Sequence, residues 1–160
     1  MLFTDGSYEP AAGDKPTLAA CGGALMLQGR PVAHFSATIP PALLARWLEG
    51  RLQPISQIEM IPLLLARRLC RRELKGKKAI CFVDNDGVRE NLIRGDSASY
   101  HNRPILAAIS AEELAYPIWA WYARVASHSN LADARSRLDC GPLLALGSRR
   151  TEVPPEAWAH

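Results

Sequence analysis

The sequence predicts an α/β domain in which a mixed five-stranded sheet carries helices on both faces. Three observations lead there. The N-terminal part reads as strands joined by a tight turn, the second half alternates strand-like and helix-like segments, and 160 residues with 48% apolar content suffice for one sizeable core. No segment repeats, and no low-complexity tract interrupts the pattern.

In chain order, MLFTDG reads as a short strand stopped by the turn-forming pair Asp5-Gly6. ACGGALMLQGRPVAHFSATIPP reads as two β segments joined at Gln28-Gly29-Arg30, a hairpin signal, so three antiparallel strands begin the chain. The proline-flanked PPALLARWLEGRL predicts a short extra helix. QIEMIPLLLARRLCRREL predicts a longer one with Ile58, Ile61, Leu65 and Leu69 on one face and Pro62 within the first turn or so, where proline is tolerated. KKAICFVDN is a buried strand, GVRENLIRG a short helix closed by Gly95, and NRPILAAISAEELAY a further helix. PIWAWYARVAS is another strand, whose alternation predicts one of Trp119 and Trp121 in the core and the other against a helix or at the surface; NLADARSRL is the last helix. Strands alternating with helices imply parallel pairing through right-handed crossovers. The domain is expected to span residues 1–140. Residues 141–160 are expected to be a loosely packed or irregular tail, since Gly141, Pro142, Gly147 and Pro154-Pro155 break any period.

Composition excludes several classes. No run of about eighteen apolar residues marks a membrane span, and the opening lacks the regions of a signal peptide, so an intracellular location, cytoplasmic or nuclear, is expected. Cys21, Cys70, Cys81 and Cys140 form no CxxC pair and sit mostly in apolar runs, which predicts buried thiols rather than disulfides or a zinc site. Net charge is only +3, but Arg67, Arg68, Arg71, Arg72, Lys75, Lys77 and Lys78 stand against the single acid Glu73. That run is either a solvated helix end or a grip for a phosphate backbone.

Four acids end up at comparable places on this scaffold. Asp5 and Asp84 close strands, whereas Glu59 and Asp133 sit in first turns of helices. In open α/β sheets ligands gather where strand carboxyl ends meet helix N-termini. Carboxylates clustered there repel one another and are sustained by raised pKa values or by a hard divalent cation, magnesium or manganese. Two such ions about 4 Å apart suit phosphodiester hydrolysis. Asp84 is the strongest candidate, because it follows Ile80-Cys81-Phe82-Val83 directly and is poorly solvated there. Asp5 also suits a turn, and Glu59 and Asp133 also suit a helix dipole. His34 and His101 read as structural or exposed.

With Thr4-Asp5-Gly6-Ser7, helix-borne Glu59, Val83-Asp84-Asn85 and SHSNLADARSR in this order, the chain resembles the ribonuclease H family from Met1 to about Leu138. The IPP segment, the QIE helix start, FVDN and the final SNxADxxSR pattern are most similar to ribonuclease H domains that follow reverse transcriptases in retroelements. The resemblance implies that Asp5, Glu59 and Asp84 bind two magnesium or manganese ions and that Asp133 completes the set. It implies cleavage of the RNA strand of an RNA·DNA hybrid, leaving 5′-phosphate and 3′-hydroxyl ends, with a reverse transcriptase or larger parent polypeptide as partner. Backbone around Gly6 and Ser7, and Ser56, Gln57, Asn85 and Asp86, would touch substrate, although Asn85 and Asp86 also suit helix capping. His128 resembles the mobile histidine upstream of the last acid, at a shorter spacing. The basic helix of some cellular members is absent between Asp84 and Asp133, and the 40–54 insertion reads as a lid or docking surface. Another nuclease of this fold, resolvase or integrase-like, and a catalytically silent binding or docking module are the rival readings.

Overall fold

In a computed structural model, which describes residues 1–50 and 53–160, the chain begins with strands β1 (Leu2–Glu9), β2 (Leu18–Leu27) and β3 (Arg30–Thr38). They form an antiparallel meander. Leu27 pairs with Arg30, and the two residues between them, Gln28 and Gly29, both adopt positive φ (50° and 77°). That is the geometry a two-residue hairpin loop requires. Helices α1 (Pro41–Leu48), α2 (Ile55–Leu69) and α3 (Arg71–Leu74) lead to β4 (Lys78–Val83). Helices α4 (Asp86–Arg94) and α5 (Asn102–Ala115) precede β5 (Trp119–Arg124), followed by α6 (Asp133–Ser136), α7 (Gly141–Ala145) and β6 (Arg149–Arg150).

The strand order is β5-β4-β1-β2-β3-β6, with β4 parallel to β1 and β5 parallel to β4. The mixed sheet is therefore as expected, with six strands instead of five. The sixth, β6, is two residues long and pairs with Ala33 and His34, too short to show a period in sequence. Residues 141–160, expected to be irregular, carry α7 and β6 and are anchored. Ala157 is buried in the main core, Arg68 donates to the Ala157 and Ala159 carbonyls at 2.7 Å, and Ser148 bonds His34 at 2.9 Å. The helix expected within the 40–54 insertion is α1; positions 51 and 52 lie outside the described residues.

Helix α2 organises the core. Ile58, Met60, Ile61, Leu63, Leu64, Leu65 and Ala66 have no exposure, so this helix is wrapped on nearly every side. The long helix expected from sequence is divided at Cys70 into α2 and α3. Pro62 lies inside α2 rather than in its first turn, and its missing N–H deprives the Ile58 carbonyl of its usual intrahelical donor. Gly6 packs against that carbonyl: a methyl group at Gly6 would overlap Ile58 O and crowd Glu59 N. The close approach sets Glu59 beside β1.

The tryptophan expectation is corrected. Trp119 and Trp121 are 70% and 71% exposed, while Ile118 enters the core. Strand β5 is a sheet edge, so the residue that fills the core there precedes the strand. All four cysteines are buried thiols, as expected.

Candidate active site

Register brings the first two acids together. Strand β4 pairs with β1 at only two positions, Leu2 with Cys81 and Phe3 with Phe82, where the two phenyl rings stack 4.6 Å apart. The same register carried two residues further sets Asp84 level with Asp5, where the β1–β4 ladder has ended. Asp5 does not close its strand as sequence suggested, since β1 continues along β2 to Glu9. It is the partner strand that stops. The gap opens a cleft of about 250 Å³ lined by Asp5, Glu59, Asp84 and Asp133, with Ser127 and Arg137 on its rim. Larger grooves of about 620 Å³ beside α1 and about 520 Å³ beside Trp121 lack converging acids, so chemistry rather than size selects this cleft.

Each acid is held differently. Asp5 is 5% exposed and accepts a 2.6 Å hydrogen bond from Ser136 Oγ. Burial raises its pKa to about 6 against the opposing Ser136 bond, and the charges of Asp84 and Asp133 add to the rise. Burial raises Glu59 further, to about 8, with Asp84 the next cause, partly countered by the Asn85 amide. Its Oε2 is buried without a hydrogen-bond partner. Asp84 accepts from Ser127 Oγ at 3.0 Å, and Asp133 lies 3.6 Å from Arg137.

A second glycine brings in the fourth acid. Gly22 faces Asp5 across the β1–β2 ladder, and a side chain there would collide with Arg135. Without one, α6 settles directly on the sheet. Ser7 Oγ and Ser36 Oγ then donate to the Ser136 and Arg135 carbonyls, both at 2.6 Å, and Asn130 ties the preceding loop to the Thr4 carbonyl at 3.1 Å. Ser136, Asn130, Ser127 and Gly22 were not assigned from sequence. The first three lie in the quoted SHSNLADARSR stretch, whose Ser and Asn residues were the available signal.

The remaining expected residues are dispersed. Ser7 and Gly6 line the cleft. Ser56 and Gln57 do not: Ser56 Oγ donates to Asn102 Oδ1 at 3.2 Å, and Gln57, fully buried, donates to the same oxygen. Asn85 caps α4 through a 3.1 Å bond from Val88 N. Asp86 pairs with Arg89 at 3.3 Å and Arg124 at 3.4 Å, away from the cleft lining. His128 is exposed on the 3-10 turn Ser127–Ser129, next to the cleft-lining Ser127. Of the basic run, Arg67 is buried against the Tyr122 hydroxyl at 2.7 Å, and Arg68 and Arg71 pair with Glu112 at 3.1 and 2.7 Å. Its exposed remainder flanks the start of β4, the end away from Asp84.

Among the described residues no three His, Cys, Asp or Glu side chains stand at metal-holding separation. The four acids instead surround the cleft, two of them engaged by Ser136 and Ser127. The donor chemistry nevertheless fits a hard divalent cation, because all are oxygen ligands, Glu59 Oε2 is unpartnered, and burial, with mutual repulsion added, raises Asp5 and Glu59.

An antiparallel meander followed by parallel strands on the opposite side of β1, with helices on both faces, defines the ribonuclease H fold. Two solved structures carry the likeness. One is ribonuclease H1 from Halobacterium salinarum, with TM-score 0.60 and 20% identity over 86% of this chain and 97% of that one. The other is the N-terminal ribonuclease H domain of a Mycobacterium tuberculosis protein, solved as a fusion with maltose-binding protein, with TM-score 0.61 and 16% identity over 91% and 94%. No family model matches the sequence, and no curated protein matches it.

Proposed function

We propose that the chain is an endonuclease that hydrolyses the RNA strand of RNA·DNA hybrids. The observation that carries this reading is the lining of one cleft by Asp5 of β1, Glu59 of α2, Asp84 just past β4 and Asp133 of α6, in a ribonuclease H fold. These carboxylates would hold magnesium or manganese, two ions per site. When bound, the ions supply an activated water and stabilise the departing 3′ oxygen, so that 5′-phosphate and 3′-hydroxyl ends result.

The chain's own groups prepare that site. Ser136 fixes one Asp5 oxygen and Ser127 one Asp84 oxygen, which orients the two carboxylates. Arg137 places a cation at the rim, where it attracts the scissile phosphate. His128, on its exposed turn, accepts or returns a proton at the imidazole. Ser7 and the backbone at Gly6 line the wall that meets the 2′-hydroxyls, the groups by which RNA differs from DNA. Residues 1–140 supply all of these groups. A reverse transcriptase or larger parent polypeptide as partner rests on the sequence motifs. Among the described residues, no helix is long and apolar enough to cross a membrane.

The test is incubation of the purified chain with labelled RNA·DNA hybrid and with matched DNA and RNA duplexes, in magnesium or manganese. Cutting of the RNA strand in the hybrid alone is expected. Cutting of another substrate with the hybrid untouched would assign the cleft to a resolvase or integrase-like nuclease, and no cutting at all to a binding module.

A further inference from the structure

Three of the acids, Asp5, Asp84 and Asp133, share a face of the sheet with an open aromatic surface. On β4, Lys78, Ile80 and Phe82 alternate onto one face, and continuing that alternation places Asp84 on it. Lys78 lies opposite Trp119 and Ile80 opposite Trp121 on β5. Ile80 is 42% exposed and the two indoles 70% and 71%. Beside them the face is covered by the small cluster of Phe3, Ala24, Ala132 and Leu143, in which Phe82 takes part. The uncovered strip thus spans Trp119, Lys78, Trp121 and Ile80, with the partly covered Phe82 between it and Asp84, about 20 Å from Lys78 along the strand.

We propose that this strip binds an unpaired segment of nucleic acid, one base stacked on each indole. This rests on the nuclease reading and extends it to chain flanking the cut. Residues two apart on a strand are separated by about 7 Å, twice the 3.4 Å rise of a duplex strand. The spacing therefore suits a stretched single strand and not a stacked duplex, whose base faces are covered. Aromatic side chains with neighbouring cations are how proteins hold single strands without sequence preference. Here Lys75, Lys77 and Lys78 are exposed and form no ion pair among the described residues. Unpaired lysines argue against a protein partner, since interface cores are depleted in lysine.

The experiment is fluorescence anisotropy of short labelled oligouridylate and oligothymidylate with the full chain at low salt and without metal. Wild-type protein is expected to bind, with the uridylate and thymidylate arms separating RNA from DNA preference. The double variant Trp119→Ala, Trp121→Ala should weaken binding at least about thirtyfold, the lower end of what loss of two stacking contacts gives. Both side chains are largely exposed, so the variant should fold, which circular dichroism checks. Lys78→Ala should lower the salt dependence by about one phosphate contact. Absence of wild-type binding, or unchanged affinity in the double variant, overturns the proposal. So does sedimentation showing a wild-type dimer that the double variant dissociates while oligonucleotide affinity stays the same. Hybrid cleavage by the wild-type chain, measured alongside, separates the two claims: cleavage without Trp-dependent binding sinks only this one, and binding without cleavage sinks only the nuclease reading.

Discussion

The sheet's two faces are built for different ends. Under α2 the covering side chains are long, aliphatic and wholly buried, from Ile58 through Ala66. Under α6 the cover is a four-residue helix with Ala132, Leu143, polar Ser136 and the sheet's own glycines, and it leaves Ile80, Trp119 and Trp121 in solvent. The thin cover leaves Asp84 and Asp133 half-buried, while the thick apolar one supplies stability that offsets the repulsion among the acids. Glu59 is the exception that clarifies the rule. It belongs to the stabilising helix, is the acid with the most strongly raised pKa, and reaches the cleft because Gly6 lets α2 lie close to β1.

The sharpest way to separate the faces is Asp84→Asn. Cleavage should fall at least about a thousandfold, the several kcal/mol that a metal-held transition state depends on. Metal-free stability should stay level or rise, because a repelling charge is removed. Truncation of the apolar cover should do the reverse. Leu64→Ala is expected to cost about 2–5 kcal/mol in urea unfolding, with Leu143→Ala at or below the lower end, since the smaller cluster around it collapses more easily.

Legibility from sequence followed the same division. Features written as local periods, namely the hairpin at Gln28-Gly29, helices α4 and α5 and the buried β4, were readable because their signals lie within a few residues. So was the set of four acids, through their order and the elements that carry them. What escaped depends on partners far along the chain. That β1 outlasts Asp5 is decided by where β4 stops, and that Gln57 is buried is decided by Asn102. The exposure of both tryptophans follows from β5 being an edge that no described helix covers on that face. The halving of the basic run follows from Glu112 and Tyr122 arriving from α5 and β5.

The pH profile of the metal-free protein sharpens the comparison further. Asp5 and Glu59 hold protons more tightly folded, at about 6 and about 8, than at their ordinary values of 3.8 and 4.5. Their contribution to stability should therefore be complete below those ordinary values and be lost as pH rises through about 6 and about 8, by on the order of a few kcal/mol. Magnesium should remove much of that loss, and a flat urea-midpoint profile between these limits would argue against acids crowded in the cleft. Smaller effects are expected from the paired glycines. Gly6→Ala and Gly22→Ala should each cost about 1–3 kcal/mol by overpacking, and Gly22→Ala should also lower cleavage, since it displaces α6 with Asp133 and Ser136.

The most direct measurement is cleavage of RNA·DNA hybrid by the purified chain and its Asp84→Asn variant in magnesium. The wild-type chain is expected to cut the RNA strand, to spare both matched duplexes, and to lose that activity with the single carboxylate. An intact hybrid beside a cut duplex, or an Asp84→Asn variant that cuts as well as the wild type, would contradict it.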